Sequence, residues 1–146
     1  MPRNSVAYDE DFFAWTQEQA RLLRDGEFSQ LDVENVAEEL ESMGRSDKRE
    51  LRSRLIQLLM HLLKWQYQPG FRSHSWTSTI AEQRDQVKES LDESPSLRPT
   101  VMVDLSRAYK VARIKAAGET GFSEKTFPEL CPYTPEQILS EDFLPK

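Results

Sequence analysis

The fold is decided by residues 46–68, SDKRELRSRLIQLLMHLLKWQYQ. Apolar side chains recur there at helical spacing on two neighbouring seams: Leu51, Leu55, Leu58, Leu62 and Trp65 on one, and Ile56, Leu59 and Leu63 on the other. The polar side chains fall on one narrow stripe: Glu50, Arg54, Gln57, His61, Lys64 and Gln68. A helix that is apolar over most of its circumference is surrounded by other helices. We therefore predict a central helix, capped by Ser46, in an all-α protein.

Four further helices are predicted around this central one. The first covers residues 9–24 and ends before Gly26, and the second is capped by Asp32 and stopped by Gly44. The second helix should face inward through an apolar stripe: Val33, Val36, Ala37, Leu40 and Met43. Beyond the break at residues 69–70, a fourth helix runs from Ser73 or Ser75 to about residue 92, and a fifth reaches about residue 117 with Pro99 in its first turn. The expected fold is an antiparallel bundle of about five helices.

The two ends of the chain are predicted to be largely irregular, over about residues 1–8 and 121–146. Four prolines, at positions 128, 132, 135 and 145, prevent a long helix near the carboxyl end. Residues 134–137, TPEQ, form a capping box with proline at the first helical position, which predicts one short helix over residues 135–139. Phe127, Tyr133 and Phe143 should hold this tail on the bundle. With 146 residues, we expect a single domain over 1–146.

Composition favours a soluble cytoplasmic protein. The chain has 38% hydrophobic and 30% charged residues, which is typical of a globular domain. A single cysteine, Cys131, cannot form an internal disulfide, which suits a reducing compartment. The first residues lack the apolar run of a secretory signal, and the longest nearly apolar stretch is far shorter than the ~20 residues that a membrane helix needs. No membrane partner is expected.

Charge is unevenly distributed along the chain, whose net charge is −6. Residues 1–44 carry 3 basic and 11 acidic side chains, whereas residues 45–88 carry 9 basic and 4 acidic ones. A basic middle third could meet phosphate or an acidic partner. The alternative is that its cations neutralise the acidic helices beside them, for example through Arg45, Arg49 and Arg52 against Glu34, Glu38 and Glu41.

No catalytic, cofactor or metal motif is found in the sequence. A di-iron bundle needs glutamate three residues before each histidine, but Leu58 precedes His61 and Phe71 precedes His74 at that spacing. There is no Gly-x-Ser-x-Gly nucleophile elbow, and the five glycines are too scattered to form a phosphate-binding loop. We therefore expect no cofactor, no protein metal site and no catalytic residue.

One segment, residues 64–76, KWQYQPGFRSHSW, combines aromatic and cationic side chains around a proline-glycine break. Such combinations bind single-stranded nucleic acid or form hot spots of protein interfaces. The candidate binding residues are Lys64, Tyr67, Phe71, Arg72 and His74. The alternative is that the aromatic side chains simply fill the turn between two helices, because Trp65 and Trp76 both fall on predicted core stripes.

Arg84 lies in line with the inward stripe of the fourth predicted helix, beside Ile80 and Val87. A buried arginine needs a partner for its charge. We expect a structural buried charge, paired with a carboxylate from the first or second helix.

Several segments together resemble a bacterial family labelled domain of unknown function twenty-nine. They are YDEDFFAWTQEQARLLR at 8–24, LDVENVAEELESMGRSDKREL at 31–51, HLLKWQYQP at 61–69, SWTSTIAEQR at 75–84, SPSLRP at 94–99 and FPELCPYTPEQILSEDFLP at 127–145. The resemblance spans nearly the whole chain and implies a compact, all-helical domain. It implies no activity, substrate or catalytic residue.

Three hypotheses about function follow from the sequence. The first is a small non-enzymatic protein-interaction module, acting as a homodimer or as the partner of another protein. The second is nucleic-acid binding through the basic middle third and residues 64–76, which predicts salt-sensitive binding. The third is an enzyme that uses Arg84, His61 and a carboxylate, which requires one pocket that holds all three.

Overall fold

A computed structural model of the protein describes residues 7–146, so most of the predicted irregular segment at 1–8 lies outside the described residues. This part of the chain contains helices and connecting segments and no strand, which confirms the all-α prediction. The helices are α1 (Phe12–Arg24), α2 (Val33–Tyr67), α3 (His74–Glu93), α4 (Arg98–Thr120) and α5 (Pro135–Leu139). Short 3-10 turns at Phe28–Gln30, Pro69–Phe71, Pro95–Leu97 and Glu124–Thr126 lie in the connections.

Helix α2 is the main departure from the sequence-based expectation. The second and third predicted helices are one continuous helix of 35 residues, so the predicted stop at Gly44 and the predicted cap at Ser46 were wrong. A glycine inside a helix costs only about 1 kcal/mol relative to alanine. Strong helix formers on both sides of Gly44, in ELESM before it and DKREL after it, outweigh this cost.

The chain divides into two compact units, one ending at Ser46 and the other covering Asp47–Lys146. The prediction of a single domain stays a prediction. In the first unit, α1 begins at Phe12 rather than at residue 9, because the side chain of Asp11 accepts a hydrogen bond from the amide of Ala14 and caps the helix. Three α1 side chains are buried: Trp15, Gln19 and Leu22.

Polar contacts join α1 to the start of α2. The Nε1 of Trp15 donates to the Asp32 carboxylate at 3.0 Å, and Gln19 Oε1 accepts from the Asp32 amide at 2.8 Å. Asn35 donates to the same carboxylate and lowers the pKa of Asp32, with a smaller contribution from Trp15. Asp32 therefore marks the beginning of the helix, as predicted, and also links it to α1.

In the second unit, α3 runs antiparallel to both α2 and α4. Arg54 of α2 donates to Gln83 at 3.5 Å, and Lys64, ten residues on, lies over the Trp76 ring near the beginning of α3. Between α2 and α4 the residue numbers of the contacts rise together: Arg52 pairs with Asp104 at 3.3 Å, and Lys64 pairs with Glu119 at 3.0 Å. These two helices therefore run parallel, and α3 is antiparallel to both. Short turns at residues 68–73 and 94–97 connect these three helices up, down and up.

The core of the second unit is built around α2, as the apolar seams predict. Its buried side chains include Leu51, Leu55, Leu58, Leu59, Met60, Leu62 and Leu63. Buried residues of α3 and α4 pack against them: Ile80, Val87, Leu91, Val101, Ala108, Tyr109, Ala112 and Ala116. Burying one leucine side chain contributes about 1.5–3 kcal/mol, so this stretch of α2, with seven buried residues, contributes more to packing than any other helix.

The remaining helix ends follow the local sequence signals. Ser73 caps α3 by accepting from the amide of Trp76, and Thr134 and Gln137 form the predicted capping box of α5. Helix α4 begins at Arg98, with a proline in its first turn, and continues three residues beyond the predicted end to Thr120. It ends where Gly121 adopts a left-handed conformation with φ of 79°.

The segment after α4 is held by its aromatic side chains, as expected. Phe127 and Tyr133 are buried, and Phe143 packs against the same core. The Tyr109 hydroxyl donates to the Pro128 carbonyl at 2.5 Å, and the Tyr133 hydroxyl donates to Gln66 at 2.7 Å. None of the helices in residues 7–146 combines the length and apolar character needed to cross a lipid bilayer.

Candidate functional site

The turn between α2 and α3 carries the five predicted binding residues, and Lys64 is one of the two that are half-buried. Its side chain is 12% exposed. The ammonium group donates to Glu119 at 3.0 Å and lies 4.9 Å from the centre of the Trp76 ring. Its positive charge is therefore already paired with a carboxylate and an aromatic face of the same protein.

Arg72 covers the other tryptophan of the turn. Its guanidinium lies 4.8 Å from the centre of the Trp65 ring, and its Nε donates to the Trp65 carbonyl at 2.8 Å. An aromatic face covered by a cation of the same chain is not free to stack on a base. Each tryptophan of the turn thus has a cation of the same chain over its ring.

The other candidates lie in different environments. Tyr67 packs edge-to-face on Phe127, with ring centres 5.1 Å apart, so it belongs to the half-buried packing of the turn. Phe71 and His74 are exposed, and His74 is the first residue of α3. The turn therefore leaves Phe71, Arg72 and His74 accessible, whereas Lys64 and Tyr67 pack against the protein. That these residues bind a ligand stays a prediction.

Most cations of the basic middle third have partners in the described structure. Five of the nine form ion pairs: Arg45–Glu38, Arg52–Asp104, Arg54–Glu50, Lys64–Glu119 and Lys88–Glu141. A sixth, Arg84, donates to backbone carbonyls. The pattern favours local neutralisation over a continuous phosphate-binding surface.

Arg84 is 4% exposed, and its partner is not the predicted carboxylate of the first or second helix. Its Nε donates to the Ile138 carbonyl at 2.8 Å, and a terminal nitrogen donates to the Gln137 carbonyl at 3.2 Å. These carbonyls lie at the end of α5, where a helix carries partial negative charge, and the Gln137 carbonyl also accepts from the Ser140 amide. The prediction failed because a five-residue helix that lies far along the chain supplies the acceptors.

Arg84 also lines a pocket of about 250 Å³ between α3 and the segment that follows α5. The other lining residues are Ala81, Asp85, Lys88, Leu139 and Glu141. His61 is not among them; its Nδ1 lies 2.8 Å from the Gln57 carbonyl on α2 itself. The pocket therefore does not bring together the histidine, arginine and carboxylate of the enzyme hypothesis.

A second surface was missed because its residues were assigned to the core. Val33, Leu40 and Met43 of α2 are exposed, the last two at 64% each, and Ala37 between them is exposed as well. The predicted inward stripe of this helix was wrong for these four residues, and only its fifth member, Val36, is half-buried. Packing in the first unit instead uses the face that carries Asn35, Val36, Glu39 and Ser42, which are all less exposed.

The first unit has few buried side chains and many exposed apolar ones. Seven large apolar residues between positions 7 and 46 are exposed: Phe12, Phe13, Leu23, Phe28, Val33, Leu40 and Met43. The strip on α2 that carries Val33, Ala37, Leu40 and Met43, here called the α2 apolar stripe, is the most regular part of this surface. Its positions repeat at three and four residues, which places them on one side of the helix. Sequence periodicity found the stripe but could not show whether it is covered.

These features define a small all-helical protein that has an open apolar helix face, a small charged pocket and a turn whose tryptophans are already covered. Among the described residues, no group of three or more His, Cys, Asp or Glu side chains is arranged to hold a metal ion. The family model described as Domain of unknown function DUF29 matches residues 7–144. The chain therefore belongs to this family, as the sequence resemblance indicated. Comparison with curated proteins and with solved structures gives no match.

Proposed function

We propose that the protein is a non-enzymatic interaction module that binds a protein partner through the α2 apolar stripe. The observation that carries this proposal is the exposure of Leu40 and Met43, which lie one helical turn apart on α2. Single exposed apolar residues are ordinary, but a contiguous row on one helix face is typical of a binding surface. Because the stripe has helical spacing, it suits helix-to-helix packing with a partner.

The surroundings of the stripe indicate the chemistry of the partner. Residues 7–46 carry 11 acidic and 3 basic side chains, and Glu34, Glu38 and Glu41 lie on the same helix as the stripe. A complementary surface has apolar residues at its centre and lysine or arginine at its rim. A different protein can meet both requirements, whereas a second copy of the chain would bring the same acidic rim and would have to bind through another of its surfaces.

Paired substitution of the stripe tests the proposal. In Leu40→Glu/Met43→Glu, two carboxylates replace the apolar side chains at exposed positions, so the helix content measured by circular dichroism should be unchanged. We expect the variant to lose self-association in light scattering, or to lose the proteins that wild type retains in affinity capture. Met102→Glu/Val103→Glu on α4 is the matched control, because these two side chains are also apolar and exposed.

The outcome of this comparison is decisive. If wild type is monomeric and retains no protein that the stripe variant loses, the proposal is wrong. It is also wrong if Met102→Glu/Val103→Glu abolishes binding as completely as the stripe variant does, because the binding would then not depend on the stripe.

Nucleic-acid binding is the weaker alternative. Arg72, Lys48 and Arg49 have no carboxylate partner among the described residues, and this remaining positive charge is the one observation in its favour. A salt-sensitive mobility shift of a single-stranded oligonucleotide that is weakened by Arg72→Glu would support it. The absence of any shift at low salt would exclude it.

We further propose that the protein acts in the cytoplasm. The half-buried Cys131 is the only cysteine of the chain, and burial raises the pKa of its thiol, which keeps it protonated and unreactive. A chain with one cysteine cannot form the internal disulfides that stabilise many proteins of oxidising compartments. Fractionation of the native cells, with the protein detected by an antibody, tests this location; recovery outside the cytoplasmic fraction would contradict it.

A further inference from the structure

The pocket beside Arg84 has features that the proposed interaction surface does not use. It lies wholly in the second unit, and α3 contributes Ala81, Arg84, Asp85 and Lys88 at helical spacing. Leu139 at the end of α5 and Glu141 just beyond it form the opposite wall. A volume of about 250 Å³ is below the range of drug-sized sites and suits a metabolite of a few heavy atoms.

Arg84 supplies a buried positive charge that no carboxylate in residues 7–146 neutralises. Both of its hydrogen bonds within the described residues go to backbone carbonyls. Burial lowers the pKa of Arg84, and no acidic neighbour offsets this effect. A buried charge without a counter-ion is costly, so an anionic ligand that reaches Arg84 would offset part of this cost.

Donor groups of Arg84 remain available on the pocket side. A guanidinium has five N–H donors, and only two of its nitrogens donate to protein atoms in the described part of the chain. The other terminal nitrogen is not among the buried atoms that lack a partner, so it retains access to open space. Arg84 is one of the residues that line the pocket, so the pocket is open space beside this side chain.

Lys88 extends this positive site by one helical turn. Its ammonium lies 4.0 Å from the Glu141 carboxylate, and both side chains are well exposed. An ion pair of this length and exposure is weak, so Lys88 can turn to an incoming anion at little cost. Asp85 and Glu141 place two carboxylates around the same pocket, while Ala81 and Leu139 supply its apolar surface.

We propose that this pocket binds a small molecule of the α-amino-acid class. The carboxylate of the ligand pairs with Arg84 and Lys88, and its ammonium group faces Asp85 and Glu141. An apolar side chain fits against Ala81 and Leu139. Charge-assisted pairing with arginine gives the carboxylate its orientation. This inference is independent of the α2 apolar stripe, which lies in the other unit.

Titration of the full chain with three probes, followed by amide chemical shifts, tests the proposal. L-leucine carries both charged groups, L-leucinamide lacks the carboxylate, and 4-methylpentanoate lacks the amine. We expect L-leucine to shift amides around Ala81, Lys88 and Glu141 in a saturable way with a millimolar dissociation constant. L-leucinamide should not bind, and 4-methylpentanoate should bind more weakly than L-leucine.

Variants separate binding in the pocket from binding elsewhere. Arg84→Ala would also remove the hydrogen bonds that hold the end of α5, so a loss of binding could reflect a change in the fold. Ala81→Phe is used instead, because it fills the pocket while the Arg84 hydrogen bonds stay in place. Ala81→Phe should abolish the saturable shifts. Ala37→Phe, the same substitution at an exposed position of α2, should leave them unchanged. Lys88→Gln should weaken binding by about two- to fivefold, as expected for the loss of one exposed ion pair.

Two results would overturn the inference. One is the absence of saturable shifts with L-leucine at millimolar concentrations, whether or not 4-methylpentanoate binds. The other is binding of L-leucine that Ala81→Phe leaves intact, because the ligand would then occupy a different place. Equal binding of L-leucine and 4-methylpentanoate would overturn the role of Asp85 and Glu141 and leave a simple carboxylate site.

Discussion

Replacing Gly44 by alanine distinguishes a continuous α2 from two helices that meet at the glycine. Gly44 lies inside α2, and an added Cβ would meet no other atom within 4 Å. The substitution therefore introduces no clash and leaves every hydrogen bond of the helix in place. Its effect on the free energy of unfolding is that of helix propensity alone.

The expected gain in the free energy of unfolding follows from the difference in helix propensity between glycine and alanine in a helix interior. Alanine is favoured by about 0.5–1 kcal/mol, largely because glycine loses more backbone freedom when it folds. For a chain of this size, a gain of 1 kcal/mol raises the midpoint of thermal unfolding by about 2–4 °C. We therefore expect Gly44→Ala to be more stable than wild type, as measured by thermal unfolding followed by far-ultraviolet circular dichroism.

Gly121→Ala is the matched control with the opposite sign. Gly121 ends α4 with φ of 79°, and an added Cβ there would also meet no atom within 4 Å. The left-handed conformation costs a residue with a side chain about 1–2 kcal/mol, so this variant should unfold at a lower temperature. If Gly44→Ala were destabilised in the same way as Gly121→Ala, Gly44 would be a helix terminator and the continuous α2 would be wrong.

Two further predictions concern individual hydrogen bonds, and chemical denaturation over a series of pH values measures both. Asp32→Ala should lower the free energy of unfolding by about 1 kcal/mol at neutral pH. Because the pKa of Asp32 is lowered in the folded state, this loss should shrink as the pH falls through that pKa; a loss independent of pH would contradict the role of the carboxylate. Tyr109→Phe removes the hydrogen bond to the Pro128 carbonyl and should cost about 1 kcal/mol. Burial raises the pKa of Tyr109 to about 12, so the stabilising effect of this phenol should persist to the ordinary tyrosine pKa of about 10 and disappear as the pH rises towards 12. An unchanged stability of Tyr109→Phe near neutral pH would contradict it.

The sequence was most informative where local chemistry acts alone. Capping by Ser73 and by the Thr134–Gln137 box sets helix ends through contacts within three residues, so the box was predicted correctly and Ser73 was one of the two predicted starts of α3. The apolar seams of residues 51–63 were also sufficient, because a helix with two adjacent seams has to be covered on most sides.

The apolar periodicity of the sequence could not predict whether another element covers a given helix face. Leu40 and Met43 have the spacing of core residues, yet they are exposed, because spacing records which side of the helix they share and not whether another element lies there. Gly44 was misread for a related reason: a glycine signal is local, and the helix formers on both sides outweigh it.

The candidate site depended on contacts between distant segments. The alignment of Arg84 with Ile80 and Val87 identified its burial, but the carbonyls that accept from it come from residues more than fifty positions along the chain. In the same way, the pairing of Lys64 with Glu119 shows why residues 64–76 are not simply an open cationic surface. No spacing rule reports such tertiary pairs.

Photo-crosslinking from position 40 tests the proposed function most directly. A photo-reactive phenylalanine analogue is placed at Leu40 in the native cells, and the same analogue at the equally exposed Val103 is the control. We predict that irradiation gives one discrete adduct from position 40, with the mass of a dimer or of a single partner, and no such adduct from position 103. The absence of an adduct at position 40, or the same products from both positions, would contradict an interaction surface on α2.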